Sequence, residues 1–97
     1  MVVVISVIEL HIPEGRSLKH KRRVIKAIME RIHQRYRVSI AETDFHDLHQ
    51  RAEIAIAAVH VSRSQMERML QGIRDLIEET PGAMLLSWEP QYLEAVE

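Results

Sequence analysis

The chain contains no cysteine among its 97 residues, and it has few aromatic side chains. Without thiols there is no disulfide, no thiolate zinc site and no cysteine nucleophile. Aromatic residues make up 4% of the sequence. The apolar start of the chain, residues 2–8, is too short to cross a bilayer and no basic region precedes it. The sequence therefore predicts a protein without membrane contact.

The length and composition are those of one globular domain. Hydrophobic residues make up 46% and charged residues 28% of the chain, which are ordinary values for a folded protein and not for a disordered one. We expect a single domain over residues 1–97, in which residues 90–97 form an acidic tail.

Apolar residues recur with strand or helix spacing along the chain and predict six elements in the order β-α-β-β-α-β. The predicted strands cover residues 2–12, 38–43, 52–61 and 83–89, the last of which ends at Pro90. The first helix runs from residue 18, after Ser17 as N-cap, to about residue 35. The second begins at Ser64, which forms a capping box with Glu67, and stops at residues 80–82. This order predicts an α+β ferredoxin-like sandwich: a four-stranded antiparallel sheet with two helices on one face.

The face of this sheet that the helices leave free should be polar, because antiparallel sheets usually present one face to water. The first and third strands, expected at the centre, are instead apolar on both faces. The residues expected on the free face are Val3, Ile5, Val7, Ala55, Ala57 and Val59. A large apolar patch marks an interface, so the pattern predicts a homodimer through this face. The other explanation is that residues 91–97 fold back over it. Neither strand contains an aromatic residue, so bases cannot stack there as they do on RNA-recognition motifs.

Charge is segregated along the chain although the net charge is only −1. Residues 15–37 hold nine basic residues and one acid, a net +8, whereas residues 67–97 hold seven acids and two arginines, a net −5. Cations near the start of the first helix oppose its dipole, which favours a functional reason for their position. We predict that this region contacts a phosphate backbone or another anion. The predicted contact residues are Arg16, Lys19, Lys21, Arg22, Arg23 and Lys26. The alternative is a solvated face paired with the protein's own acids, such as Asp44 and Asp47.

The connection over residues 44–51 holds His46 and His49 together with Asp44 and Asp47. Imidazole and carboxylate groups at short spacing are able to bind a divalent cation. No third, distant ligand stands out in the sequence, so we expect no metal site here and no cofactor.

Three segments resemble the YlxP-like family of small bacterial proteins, a domain of unknown function. They are residues 17–23 (SLKHKRR), 38–42 (VSIAE) and 47–53 (DLHQRAE). Members usually have Trp where His49 stands. The resemblance implies a ferredoxin-like fold and a cytoplasmic location. It also implies a link to RNA or the ribosome, because the genes of this family often lie beside those of translation factors. It implies no catalytic residues.

Three functions follow as alternatives. The first is a non-enzymatic, ribosome-associated protein that binds RNA through its basic first helix. The second is a homodimeric protein-interaction module that binds no nucleic acid. The third is an acylphosphatase-like enzyme, which would hold its anion in the loop at residues 13–17 with Arg16. That enzyme positions water with an asparagine, and the chain has none, so we predict that the protein is not an enzyme.

Overall fold

The computed structural model describes residues 1–13 and 16–93 and confirms the predicted order of elements. The strands are β1 (Val2–His11), β2 (Ser39–Asp44), β3 (Arg51–His60) and β4 (Met84–Leu93), and the helices are α1 (Leu18–Arg35) and α2 (Arg63–Glu78). The four strands form one antiparallel sheet in the order β2-β3-β1-β4. The fold is therefore the ferredoxin-like α+β arrangement, with β1 and β3 at the centre as predicted.

The hydrophobic core lies between the helices and one face of the sheet. Alternate residues of the central strands point into it, from Val4 to Leu10 on β1 and from Ala52 to Ala58 on β3. The helices contribute buried stripes at helical spacing, such as Ile25, Ile28 and Ile32 on α1. Buried residues recur every second residue on the strands and about every 3.6 residues on the helices. Each element therefore turns one apolar face inward. The residues between the buried ones on β1 and β3 face away from the helices.

The fourth strand is longer than predicted. It continues through Pro90 to Leu93, with Pro90 opposite Ser6 and Leu93 opposite Val3. Pro90 does not end the strand because β4 lies at an edge of the sheet, where a missing backbone N–H is tolerated. Residues 91–93 thus belong to an edge strand and do not cross the free face. The rest of the predicted acidic tail, residues 94–97, lies outside the described residues.

The two helices begin at serine N-caps, one of them at a different residue from the prediction. Ser17 caps α1 as predicted, and its hydroxyl accepts the backbone N–H of His20 at 3.1 Å. For α2 the cap is Ser62 and not Ser64, since the Ser62 hydroxyl accepts the N–H of Gln65 at 3.3 Å. Only two residues separate the end of β3 at His60 from the start of α2 at Arg63, so the N-cap lies at residue 62. Glu67 then bonds Arg63 at 3.2 Å instead of completing a capping box.

Gly72 permits a close approach between α2 and the end of α1. A Cβ atom placed on Gly72 would fall inside contact distance of the Tyr36 hydroxyl and 3.0 Å from its Cζ. Tyr36, which caps the end of α1, is half-buried against the core. The absence of a side chain at Gly72 therefore sets how closely this ring packs on α2.

None of the helices in the described part of the chain is long and apolar enough to span a membrane.

Candidate functional site

Five of the six predicted anion-binding residues lie exposed on one surface of the molecule. Arg16 precedes α1, and the other four occupy its first half at positions 19, 22, 23 and 26. At 100° per residue, these four helical positions fall within an arc of about 100°. We call the exposed residues Arg16, Lys19, Arg22, Arg23 and Lys26 the basic patch. The structure therefore brings five of the predicted cations together.

Lys21, the sixth predicted residue, does not belong to this surface. Its side chain is fully buried. The Nζ atom donates to the backbone carbonyls of Phe45 at 2.6 Å and Arg51 at 3.1 Å, and a third carbonyl, that of His46, lies at 3.5 Å. The Glu42 carboxylate lies 3.3 Å from the same atom and is 16% exposed. The prediction that Lys21 contacts an external phosphate is wrong, because its ammonium group is already surrounded by oxygen atoms of the protein.

The buried lysine joins α1 to the connection between β2 and β3, and that connection is held in a strained conformation. Phe45 has φ of 62°, in the left-handed region that bulky side chains rarely adopt. Its carbonyl accepts from Lys21, and its ring lies under the guanidinium of Arg51, 4.4 Å from the ring centroid. Arg51 in turn pairs with Glu9 at 2.8 Å. Such strain persists only where surrounding contacts determine the geometry, and these contacts supply that constraint.

The burial of Lys21 had a signal in the sequence. Positions 21, 25, 28 and 32 follow one another at spacings of four, three and four, so Lys21 lies on the buried stripe of α1. Glu42 is two residues from the core-facing Ile40, which places both side chains on the same face of β2. A lysine on one apolar stripe and a glutamate on the facing strand indicate an internal ion pair.

The basic patch is weakly neutralised by the protein itself. Within residues 1–13 and 16–93, its one ion pair joins Lys26 to Glu30 at 3.9 Å, and both of these side chains are largely exposed. The predicted alternative, pairing of Arg16 or Lys19 with Asp44 or Asp47, is not found among these residues; Asp44 instead accepts the N–H of Phe45 at 2.7 Å. The first turn of α1 contains no acidic residue. The patch therefore presents its charge to solvent.

The histidines and aspartates of residues 44–50 do not converge. In the described part of the chain, no group of three His or carboxylate side chains has the geometry to hold a metal ion. His46 Nε2 lies 3.3 Å from the Glu42 carbonyl, and His11 Nδ1 lies 3.0 Å from the Gln50 carbonyl. These contacts tie the loop to the neighbouring strands.

Within residues 1–13 and 16–93, none of the four strands carries an aromatic side chain on the free face of the sheet. Tyr36, Trp88 and Tyr92 are half-buried against the core, and Phe45 lies beneath Arg51. The six predicted interface residues all lie on this face, as expected from their alternation, and Val59 is 59% exposed. The strands therefore offer no stacking platform for bases on this face.

The fold and sequence match known proteins. A sequence model of the family described as "Protein of unknown function (DUF503)" matches residues 3–90. An uncharacterized protein of Bacillus subtilis strain 168, YlxP, is 41% identical over 73 residues, which cover 75% of this chain and 79% of that protein. The de novo designed protein Foldit4 superimposes with a TM-score of 0.57 over 99% of this chain and all of its own, at 17% identity. That likeness concerns the fold alone. The names of the matching family and of YlxP denote no enzymatic activity.

Proposed function

The chain belongs to the DUF503 family of proteins of unknown function, and from that premise we propose that it is a non-enzymatic RNA-binding protein of the cytoplasm. The basic patch would contact the phosphate backbone, and ribosomal subunits are the expected source of the RNA. The observation that carries this proposal is the cluster of five exposed cations at the N-terminal end of α1, where the helix dipole disfavours positive charge. A sequence selected for stability alone would place acids there.

The geometry supports backbone contact and not base recognition. Lys19 and Lys26 are seven residues apart, about 10 Å along the helix axis, so the patch is long enough to reach successive phosphates. The amide groups of the first turn point outward beside it, although the Ser17 hydroxyl already accepts one of them. Binding of this kind depends on salt and shows little sequence preference.

The direct test is RNA binding by fluorescence anisotropy across a salt series. With five participating cations the logarithm of affinity should fall with the logarithm of salt with a slope of at most about −3.5 for single-stranded RNA. The variant Lys19→Glu with Arg23→Glu should bind at least tenfold more weakly and reduce the magnitude of the slope by about 1.4.

A matched control separates the basic patch from net charge. Arg68→Glu with Arg74→Glu makes the same change in net charge on exposed positions of α2. This control should retain most of the affinity. Equal loss in both double variants, or no salt-dependent binding by the unmodified protein, would contradict the proposal. Co-sedimentation with ribosomal subunits that survives RNase treatment would indicate an acidic protein partner instead.

A further inference from the structure

The exposed residues of the free face form rows that run across the strands. Three successive rows are centred on apolar pairs of the central strands, Val3 with Val59, Ile5 with Ala57, and Val7 with Ala55. The fourth row is acidic, because Glu9 lies directly opposite Glu53. Along the two central strands, the free face is therefore divided into an apolar part and an acidic part, and on β4 the exposed Glu89 lies beside Val7.

The two ends of the free face carry charges of opposite sign. At the acidic end, Glu9 is paired with Arg51. Glu53 accepts a hydrogen bond from Thr43 at 2.7 Å but has no ion-pair partner among the described residues. At the apolar end, Arg37 lines the same shallow concavity as Val3 and Val59, and it likewise has no acidic partner within the described part of the chain. A cation, Arg37, therefore lies at one end of the apolar rows.

We propose that this face binds a second copy of the chain in a twofold dimer in which facing strands run in opposite directions. With the axis through the row of Ile5 and Ala57, the three apolar rows of one copy cover those of the other. The acidic row of each copy then lies just beyond Val59 of its partner, within the reach of an arginine side chain. Arg37 of one copy therefore meets Glu53 of the other, and the contact occurs twice.

Charge selects this arrangement over the other face-to-face twofold. An axis parallel to the strands would place the acidic row on itself and bring the two Arg37 side chains to the same end. The superposed carboxylates of the two acidic rows oppose association. Reversal of the strands removes this repulsion, brings Arg37 of each copy to Glu53 of the other, and retains the apolar overlap.

The three apolar rows alone are smaller than a stable interface. The apolar rows expose on the order of a few hundred Å² per copy, whereas an interface of standard size buries about 800 Å² on each partner. The exposed fractions are modest, 40% for Ile5 and for Val7. A stable dimer must therefore extend beyond the three apolar rows, on one side to Glu9 and Glu53 and on the other to the exposed Met1 and Val61.

Sedimentation over a concentration series tests the dimer and its direction. The unmodified protein should approach twice the 11.3 kDa mass of the chain. Arg37→Glu or Glu53→Arg alone should raise the dissociation constant by about tenfold, since each removes two exposed ion pairs and adds two repulsions. The double variant should return it to within roughly threefold of the original value.

Two further variants test the apolar rows without disturbing the core. Val59→Glu places a charge in the first apolar row at a position that is 59% exposed, and it should yield a folded monomer. Leu48→Glu makes the same chemical type of change on the loop at the opposite end, at 46% exposure, and should leave the dimer intact. A monomer at every concentration overturns the proposal. A dimer whose single charge variants are unaffected, or whose double variant is not restored, overturns the strand-reversed arrangement.

None of these positions belongs to the basic patch. The dimer and the RNA-binding proposal therefore fail or hold independently: Val59→Glu should still bind RNA, and Lys19→Glu with Arg23→Glu should still dimerise. Sedimentation of the unmodified protein and of the dimer variants in the presence of RNA tests whether RNA occupies the free face. A different effect of RNA on the variants and on the unmodified protein would show that it does. That result would contradict a second copy of the chain as the occupant.

Discussion

Replacement of Lys21 by methionine should destabilise the protein far more than the same change at a neighbouring lysine. Methionine retains most of the length and apolar volume of lysine but removes the ammonium group. The backbone carbonyls of Phe45 and Arg51 then lose the donor that lies 2.6 and 3.1 Å away, and Glu42 loses its only cation within 4 Å among the described residues. The side chain at position 21 is fully buried, so water cannot replace the ammonium without a rearrangement of the loop.

The expected loss in the free energy of unfolding is about 3 kcal/mol. Removal of one partner from a buried ion pair typically costs about 3–5 kcal/mol. The low end applies here because Glu42 retains 16% exposure and recovers part of its hydration. For a domain of this size, where each kcal/mol corresponds to about 4–8 °C, the melting temperature should fall by roughly 12–24 °C.

Urea unfolding followed by circular dichroism measures this loss, and two further variants locate its cause. Lys19→Met, an identical change on the exposed surface, should alter stability by no more than about 0.5 kcal/mol. Lys21→Met combined with Glu42→Gln should recover about 1 kcal/mol, since the uncompensated carboxylate is gone. A loss below about 1 kcal/mol for Lys21→Met would refute the reasoning, because it would mean that these oxygen atoms do not depend on the ammonium group.

Two other substitutions test local packing and capping. Gly72→Ala should lower the free energy of unfolding by about 1 kcal/mol in thermal unfolding. The steric cost against Tyr36, about 1–3 kcal/mol, exceeds the gain in helix propensity of up to about 1 kcal/mol. A stabilised variant would show that the Tyr36 ring moves away freely. Ser62→Ala should cost about 1 kcal/mol through loss of the α2 N-cap, whereas Ser64→Ala should be nearly neutral. The reverse order in urea unfolding would place the cap at Ser64.

Local sequence patterns were sufficient for the fold because each pattern reports which face of an element is buried. Alternation on β1 and β3 and the stripe of α1 predicted the core, the central strands and the free face. The anion-binding residues were predicted from residue type and position alone, and five of the six are exposed and form the basic patch. Patterns of this kind depend only on neighbours along the chain, which is why they could be read without coordinates.

The sequence by itself determined the order of elements, the two-sided apolar character of the central strands and the accumulation of cations around α1. Only the tertiary structure decided which oxygen atoms surround the Lys21 ammonium group, that Ser62 caps α2, and that β4 continues through Pro90. Each of these depends on a partner distant in sequence or on position in the sheet: the β2–β3 connection for Lys21, the end of β3 for Ser62, and the sheet edge for Pro90. A residue's type shows what bonds it is able to make, but the packing of distant segments decides whether its partner is protein or solvent.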